Sequence, residues 1–129
     1  MSQQIPHLYV APSEIHDRGM FCGIFIPEGS IIEICPVILI PPRDMKNLKK
    51  TSLYDYYFIW EEDEKSGAIA LGYGSMYNHA YQPNSRYYVD YERLTLEIHA
   101  IKDIKAGQEI TFNYNGEPDD QSKVWFEME

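Results

Sequence analysis

Short apolar stretches separated by turn residues run along most of the chain. The longest, residues 30–40, is rich in β-branched side chains and ends at two prolines, a pattern typical of a strand. Residues 87–89 and 94–101 flank a polar connection and predict a β-hairpin. Further strands are predicted over residues 7–10, 19–25, 53–60, 68–71 and 111–114. With at most one short helix, in residues 43–52, the pattern predicts a mostly β domain of many short strands.

The length and the charge of the chain limit the kinds of function that it can have. The 129 residues are enough for one domain, and no run of about 18 apolar residues predicts a membrane span. Twenty acidic residues against eleven Lys and Arg leave a formal net charge of −9. A field of that sign repels nucleic-acid phosphates and attracts cationic partners. We therefore expect no direct binding to DNA or RNA, and either a basic protein partner or a charge that serves solubility alone.

Cysteine usage and the first residues bear on the cellular compartment. Cys22 and Cys35 are too few for a disulfide framework or a cysteine zinc site, and we interpret them as buried thiols in a reducing cytosol. The first ten residues, MSQQIPHLYV, have neither the basic start nor the apolar run of a secretory signal. We predict an intracellular soluble protein, cytoplasmic or, if its source is eukaryotic or viral, nuclear.

Three segments could carry chemistry. In residues 17–21 (DRGMF) a glycine would let a ligand approach the backbone closely. In residues 72–84, glycines precede Asn78 and His79, whose side chains can both donate and accept hydrogen bonds. Residues 109–114 (EITFNY) form a strand that ends in a tyrosine. Taken singly, each segment is more typical of a structural role: a turn, a hydrogen-bonded histidine, or a strand end.

Taken together, the order and spacing of these segments resemble the SET domain over roughly residues 5–126. The family's GxG cofactor turn is matched by Asp17-Arg18-Gly19, with Asp in place of the first Gly. Its NHxxxPN segment is matched fully by NHAYQPN, residues 78–84, and its GEExxFxY-like ending by GQEITFNY, residues 107–114. The resemblance is to short stand-alone methyltransferases, such as viral and bacterial ones, that lack the flanking pre-SET and cysteine-rich post-SET regions.

The resemblance implies a fold and a cofactor. The expected fold is the SET-domain (β-clip) arrangement of several small sheets with a C-terminal pseudoknot, in a single domain over residues 1–129 with residues 115–129 as a short tail. S-adenosylmethionine would lie against the backbone from Arg18 through Gly19 to Met20. It would also contact Asn78 and His79, which the pseudoknot brings beside the C-terminal motif.

The resemblance also implies the catalytic residues and the substrate channel. Tyr114 would place its hydroxyl where the sulfonium methyl meets the lysine nitrogen. Tyr56 matches a catalytic and channel-lining aromatic position, with Tyr54 and Tyr57 as competing registers. Phe112 would line the channel and, being a Phe, leave room for di- or trimethylation. The chemistry suits these residues, because methyl transfer to an amine needs alignment and desolvation more than a general base.

Several positions depart from the family pattern or lie outside its motifs. Asp17 must point away from the cofactor or use its carboxylate on the cofactor's amino group. Tyr81 stands where many relatives have a zinc-binding Cys, and no cysteine follows Cys35, so no metal is expected. Trp125, in the acidic tail, either docks the terminus on the core or, as in relatives, contributes to cofactor binding.

Three functions are compatible with these residues. The first is lysine methylation of a histone, a histone-like protein or a ribosomal protein, supported by Asn78, His79 and Tyr114. The second is a catalytically silent SET-like module for a basic peptide, favoured by Asp17. The third, an unrelated acidic β-rich interaction domain, requires the motif order to be coincidence. We favour the first, with acidic residues 61–64 available to steer a cationic tail. A homodimer, as in short relatives, is a further possibility.

Overall fold

A computed structural model describes residues 3–60 and 65–123, in which two sheets share one apolar core. The strands in these residues are β1 (Gln3–Gln4), β2 (Leu8–Pro12), β3 (Arg18–Cys22), β4 (Ile31–Ile40), β5 (Phe58–Ile59), β6 (Gly67–Ala70), β7 (Asn78–His79), β8 (Ser85–Asp90), β9 (Thr95–Ala100) and β10 (Glu109–Phe112). Within the same described residues, one α-helix, α1 (Pro42–Leu48), and two 3₁₀ segments, Ser52–Asp55 and Gly74–Met76, connect the strands. No helix in these residues is long and apolar enough to cross a membrane.

The larger sheet is built around β4 and has the strand order β5-β6-β4-β9-β8, with β1 also pairing with β4. The first half of β4 pairs with β9 and the second half with β6. A register shift between Ile31 and Glu33 buries both Ile32 and Glu33, which breaks the simple alternation of a strand. The β8–β9 hairpin is antiparallel, and Asp90 Oδ1 accepts from two backbone N–H groups of its connection, those of Glu92 and Arg93.

The smaller sheet joins parts of the chain that are far apart in sequence. Its strand order is β2-β3-β10-β7. β10 is antiparallel to β3 and parallel to β7, with Thr111 opposite Asn78 and Phe112 opposite His79. The two motifs thus lie side by side, as the pseudoknot prediction required.

One core serves both sheets, and a short helix buries two side chains outside that cluster. The core cluster consists of Met20, Cys22, Ile26, Ile32, Cys35, Ala70, Tyr77, Leu96, Ile98, Ala100, Ile104, Ile110 and Phe112. α1 has Pro42 at its first turn, where proline is tolerated because the first helical N–H groups lack partners. Met45 and Leu48, three residues apart on one face of α1, are its buried side chains.

The predicted mostly β fold is confirmed, and so is the hairpin across residues 90–93. The prediction of a strand over residues 53–60 was wrong for most of its length. Ser52–Asp55 is a 3₁₀ turn whose N-terminus is capped by Thr51, and the strand is confined to Phe58–Ile59. Aromatic residues favour strands, but here the rings line a cavity, and tertiary packing outweighs that local preference.

Candidate active site

Two cavities meet at Tyr56 and Tyr114. The loop cavity has a volume of about 360 Å³, and its wall includes the loop formed by residues 15–18. The aromatic cavity has a volume of about 340 Å³ and is lined by eight rings, those of Tyr54, Tyr56, Tyr57, Phe58, Tyr77, Tyr87, Phe112 and Tyr114. Asp55 and Ser75 also border both cavities. Two ligands that entered from different sides would therefore meet beside these shared residues.

Hydrogen bonds from distant strands hold the loop of the loop cavity. Asn78 Nδ2 lies 3.1 Å from the carbonyl oxygen of His16, 3.0 Å from that of Arg18 and 2.8 Å from Glu109 Oε2. Ser13 Oγ donates to Glu109 Oε1 at 2.7 Å and accepts from the backbone N–H of His16. The cavity wall is therefore tied to β7 through Asn78 and to β10 through Glu109.

Gly19 is required by this network. A Cβ at residue 19 would collide with Glu109 Oε2 and lie 2.9 Å from Asn78 Nδ2. The side of this glycine on which a Cβ would lie is thus filled by protein, and the contact of the Gly19 backbone with a cofactor stays a prediction. Met20 is fully buried, and its backbone pairs with Val10 on one side and Ile110 on the other. Its contact with a cofactor stays a prediction, and residues 15–18 line the cavity at this end.

Asp17 takes the backbone conformation in which the family has glycine. Its φ is +42°, in the left-handed region that Gly enters freely and that Asp and Asn tolerate better than most residues. The side chain is 71% exposed, lies 4.0 Å from Arg18 Nε and borders the loop cavity. The substitution of Asp for Gly is therefore accommodated by the backbone and leaves the cavity open.

Tyr114 is held at both its backbone and its hydroxyl. Its N–H donates to His79 Nδ1 at 3.0 Å, which fixes the proton of a neutral imidazole on Nε2. Its hydroxyl donates to the carbonyl oxygen of Tyr77 at 2.6 Å. Burial first, and then the neighbouring Tyr56 and Glu109, raise the pKa of Tyr114 well above its usual value. The hydroxyl therefore keeps the proton that it donates, and Tyr114 borders both cavities in its neutral form.

The aromatic cavity is closed by rings that pack on Phe112, which is 1% exposed. The Phe112 ring stacks on Tyr77 at a centroid distance of 5.4 Å and meets Tyr87 edge-on at 5.1 Å. The hydroxyl of Tyr87 donates to the carbonyl oxygen of Tyr114 at 3.5 Å. The wall next to Tyr114 thus contains a Phe without a hydroxyl and a Tyr with one. Lys123, from the tail, also borders this cavity.

A family model for the SET domain matches residues 17–115. This range includes Tyr114 and its hydrogen-bond partners Tyr77 and His79. The chain belongs to the SET-domain family of protein-lysine methyltransferases. It is 30% identical over 125 residues to the Schizosaccharomyces pombe protein named "Histone-lysine N-methyltransferase, H3 lysine-37 specific", a match that covers 92% of this chain and 80% of that protein. It is 28% identical to the Variant-silencing SET domain-containing protein of Plasmodium falciparum, of which it spans 5%.

Solved structures of SET domains have the same fold. A candidate histone methyltransferase of Plasmodium falciparum is 25% identical with a TM-score of 0.68, and the match covers 96% of this chain and 98% of that one. The Chaetomium thermophilum Polycomb Repressive Complex 2 in an autoinhibited conformation, bound to S-adenosylmethionine, is 23% identical with a TM-score of 0.71. That match covers 84% of this SET domain and 15% of the other chain, and it bears on the fold alone.

The loop cavity of this SET domain has the size and chemistry of a site for a cationic nucleoside. Its volume is within the roughly 300–1,000 Å³ that small-molecule sites occupy. Ile15 and Met76 supply apolar surface, and His79 supplies a hydrogen-bonding ring. The carboxylates of Asp17 and Asp55 suit a positively charged ligand. This set of side chains fits S-adenosylmethionine, which carries an adenine ring, a sulfonium and an ammonium group.

The structure brings together the predicted Asn78, His79, Tyr56 and Tyr114, and Arg18 borders the loop cavity with them. Of the three tyrosines that competed in register, Tyr56 borders both cavities, whereas Tyr54 and Tyr57 border the aromatic one. Trp125 and residues 61–64 lie outside the described residues. Within residues 3–60 and 65–123, no group of three or more His, Cys, Asp or Glu side chains is placed to hold a metal ion.

The sequence indicated no role for several residues of the site, among them Glu109 and Tyr87. Glu109 anchors the loop cavity, and the sequence shows it as a charged residue within the C-terminal motif itself. Tyr87 lines the aromatic cavity from β8. The sequence has tyrosines at both 87 and 88, whose side chains point to opposite faces of the strand. Neither pattern tells which face of the strand meets the cavity, so the assignment needs the fold.

Proposed function

We propose that this SET domain transfers the methyl group of S-adenosylmethionine to the side-chain amine of lysine in a basic protein, such as a histone, a histone-like protein or a ribosomal protein. One observation carries the proposal: Tyr114 borders both the loop cavity and the aromatic cavity. In-line methyl transfer needs a donor and an acceptor that approach from opposite sides. Two cavities that share Tyr56 and Tyr114 would supply that arrangement.

The residues of the loop cavity would hold the methyl donor, which supplies a methyl group activated on a sulfonium when it is bound. Arg18, Asn78 and His79 border this cavity, and Gly19 allows Asn78 and Glu109 to close behind it. Asp17 stands at the rim, where its carboxylate can attract an ammonium group. Trp125 stays a predicted contact from the tail.

The aromatic cavity would prepare the lysine. A free lysine amine has a pKa of about 10.4 and must lose its proton before it attacks. Aromatic walls desolvate the ammonium form and lower that pKa, so the proton can leave to water. Tyr114 keeps its own proton, which it donates to the carbonyl oxygen of Tyr77, and directs its oxygen at the reacting groups. It would orient the amine and stabilise positive charge on the methyl group, with no general base.

The number of methyl groups transferred depends on two side chains with opposite effects on the space in the aromatic cavity. Phe112 leaves space in the wall of the aromatic cavity, which favours di- or trimethylation. The hydroxyl of Tyr87, beside the same ring, reduces that space. We propose that Tyr87 restricts the final methylation step, so that the products include lower states than Phe112 by itself would predict.

The proposed partner is a lysine-rich protein. The formal net charge of −9 supports a cationic substrate and disfavours nucleic acid. The relative from Schizosaccharomyces pombe is named for a lysine of histone H3, which is consistent with a substrate of this class. A cytoplasmic or nuclear location and a homodimer stay predictions.

Methyl transfer is tested by mass spectrometry of basic proteins incubated with the full chain and S-adenosylmethionine. We expect methylated lysines with the wild-type chain and a loss of at least about 100-fold in rate with Tyr114→Phe. Tyr9→Phe, which removes the hydroxyl of a half-exposed ring on β2, is the matched control and should keep full activity. Binding of cofactor or of a basic peptide without any transfer would instead establish the silent binding module.

A further inference from the structure

Glu33 is a charged residue inside the core, and the reaction outlined above does not use it. It is 1% exposed and lies on β4, at the centre of the larger sheet. Its Oε2 accepts from Gln4 Nε2 and from the backbone N–H of Tyr73, both at 2.8 Å, and its Oε1 accepts from the hydroxyl of Tyr77 at 2.7 Å. A buried carboxylate is costly unless donors such as these surround it, so its presence calls for a role.

Two of these donors, Tyr73 and Tyr77, belong to a segment that lines both cavities, residues 73–77. Tyr73 and Tyr77 flank the 3₁₀ turn Gly74–Met76, and Ser75 in that turn borders both cavities. The carbonyl oxygen of Tyr77 is the acceptor of the Tyr114 hydroxyl at 2.6 Å. Two hydrogen bonds, one to the side chain and one to the backbone of Tyr77, therefore connect Glu33 to Tyr114 through that residue.

The packing beneath this segment is close at both of its glycines. A Cβ at Gly72, whose φ is +65°, would lie 2.5 Å from Glu33 Oε2. A Cβ at Gly74 would lie 2.6 Å from the Cβ of Ala70 and 2.9 Å from the sulfur of Cys35. Burial first, and then the charge of Glu33, raise the pKa of Tyr77 well above its usual value, so its hydroxyl keeps the proton that it donates.

We propose that Glu33 is a positioning residue for methyl transfer: through Tyr77 it sets where the hydroxyl of Tyr114 lies between the two cavities. This inference rests on the proposed function. Glu33 touches neither cavity and acts through the backbone of residue 77. Its loss should therefore slow the chemical step and leave the binding of the methyl donor intact, because Asn78 is held separately by Glu109 and Ser13.

The test compares two variants that each remove one hydrogen bond to the same carboxylate. Tyr77→Phe removes the bond on the path to Tyr114 and keeps the ring that stacks on Phe112. Gln4→Ala removes a bond of similar length that leads only to β1. Both should lower the melting temperature by several degrees, since a buried charged group loses a donor. A role in stability alone would affect the two variants alike.

We expect kcat to fall roughly 10- to 100-fold in Tyr77→Phe and to stay within about twofold in Gln4→Ala, with KM and the calorimetric affinity for S-adenosylmethionine unchanged in both. The ¹³Cζ resonance of Tyr114 should move in Tyr77→Phe but not in Gln4→Ala. Equal kcat values in the two variants, or an unmoved Tyr114 resonance, would overturn the inference. If the wild-type chain transfers no methyl group, the proposed function fails, while the resonance still decides whether Glu33 positions Tyr114.

Discussion

The two cavities that meet at Tyr114 are built by different means. The wall of the loop cavity is an exposed segment held by polar side chains, chiefly those of Ser13, Asn78 and Glu109. The aromatic cavity is walled by rings, several of which, such as Phe112 and Tyr77, belong to the core itself. A ligand that binds and leaves in each turnover suits a hydrogen-bonded rim, whereas desolvation of an amine needs packed apolar walls.

This difference implies that substitutions should separate into two classes. Changes to the polar anchors should weaken affinity for the methyl donor and leave the products of the reaction unchanged. Changes to the rings should alter the rate or the methylation state and leave donor affinity intact. Tyr114 borders both cavities, so a substitution there cannot distinguish the two classes. Residues that border or support one cavity can.

The largest separable effect is expected from the anchor of the loop cavity. Glu109→Ala removes the acceptor of Ser13 Oγ and one of the acceptors of Asn78 Nδ2, and the loss of a hydrogen bond to a charged group costs about 1.5–3 kcal/mol. Affinity for S-adenosylmethionine, measured by calorimetry, should fall roughly 10- to 100-fold, with the methylation states unchanged. Glu117→Ala, at a surface carboxylate paired with Arg86, is the matched control. An equal loss in both variants would contradict the anchoring role.

A substitution in the wall of the aromatic cavity should change the methylation state of the products. Tyr87→Phe removes the hydroxyl beside Phe112 and enlarges the space next to Tyr114. We expect the product distribution, read by mass spectrometry of a lysine peptide, to shift by one methyl group, with a rate change of less than about 10-fold. Tyr88→Phe, at the adjacent and half-exposed position of β8, should leave the products unchanged. The same product pattern in wild type and Tyr87→Phe would reject the restriction.

The buried phenols should make the fold sensitive to alkali. The pKa values of Tyr77 and Tyr114 are raised in the folded state, so below about pH 10 both states hold these protons equally. Above that pH the unfolded chain releases them while the folded chain retains them. The free energy of unfolding should then fall by up to about 1.4 kcal/mol per pH unit for each tyrosine. Urea unfolding between pH 8 and 11 measures this slope, which should be shallower in Tyr114→Phe than in Tyr9→Phe.

The smallest effect is expected at the turn of the loop cavity. Asp17→Gly relieves a left-handed backbone but makes the unfolded chain more flexible, so the free energy of unfolding should change by less than about 0.5 kcal/mol. Asp17→Ala keeps the strain without the local hydrogen bonding of Asp and should cost about 1 kcal/mol. Chemical denaturation distinguishes the two variants. A stabilised Ala variant would show that the backbone of Asp17 is not strained.

Much of the fold was predictable because local patterns and motif order agreed. The β-branched run of β4 and the β8–β9 hairpin follow from local preference, and the motifs that contain His79 and Tyr114 identified the family. The 3₁₀ turn at Ser52–Asp55 was not predictable from its aromatic composition, because the rings face a cavity that forms only after distant segments meet. Likewise, the packing of Glu109 and Asn78 against the Cβ side of Gly19 was not predictable, because segments distant in sequence supply it.

The sequence by itself determined that the chain is mostly β, acidic, and a SET domain whose Asn78, His79 and Tyr114 belong to one site. The tertiary structure decided which groups hold that site. Three features hold it: the parallel pairing of β7 with β10, the packing of Glu109 against Gly19, and the connection from Glu33 through Tyr77 to Tyr114. All of them join residues that are more than 30 positions apart in the sequence. Such contacts depend on which side of each strand faces the core, and local preference does not encode that choice.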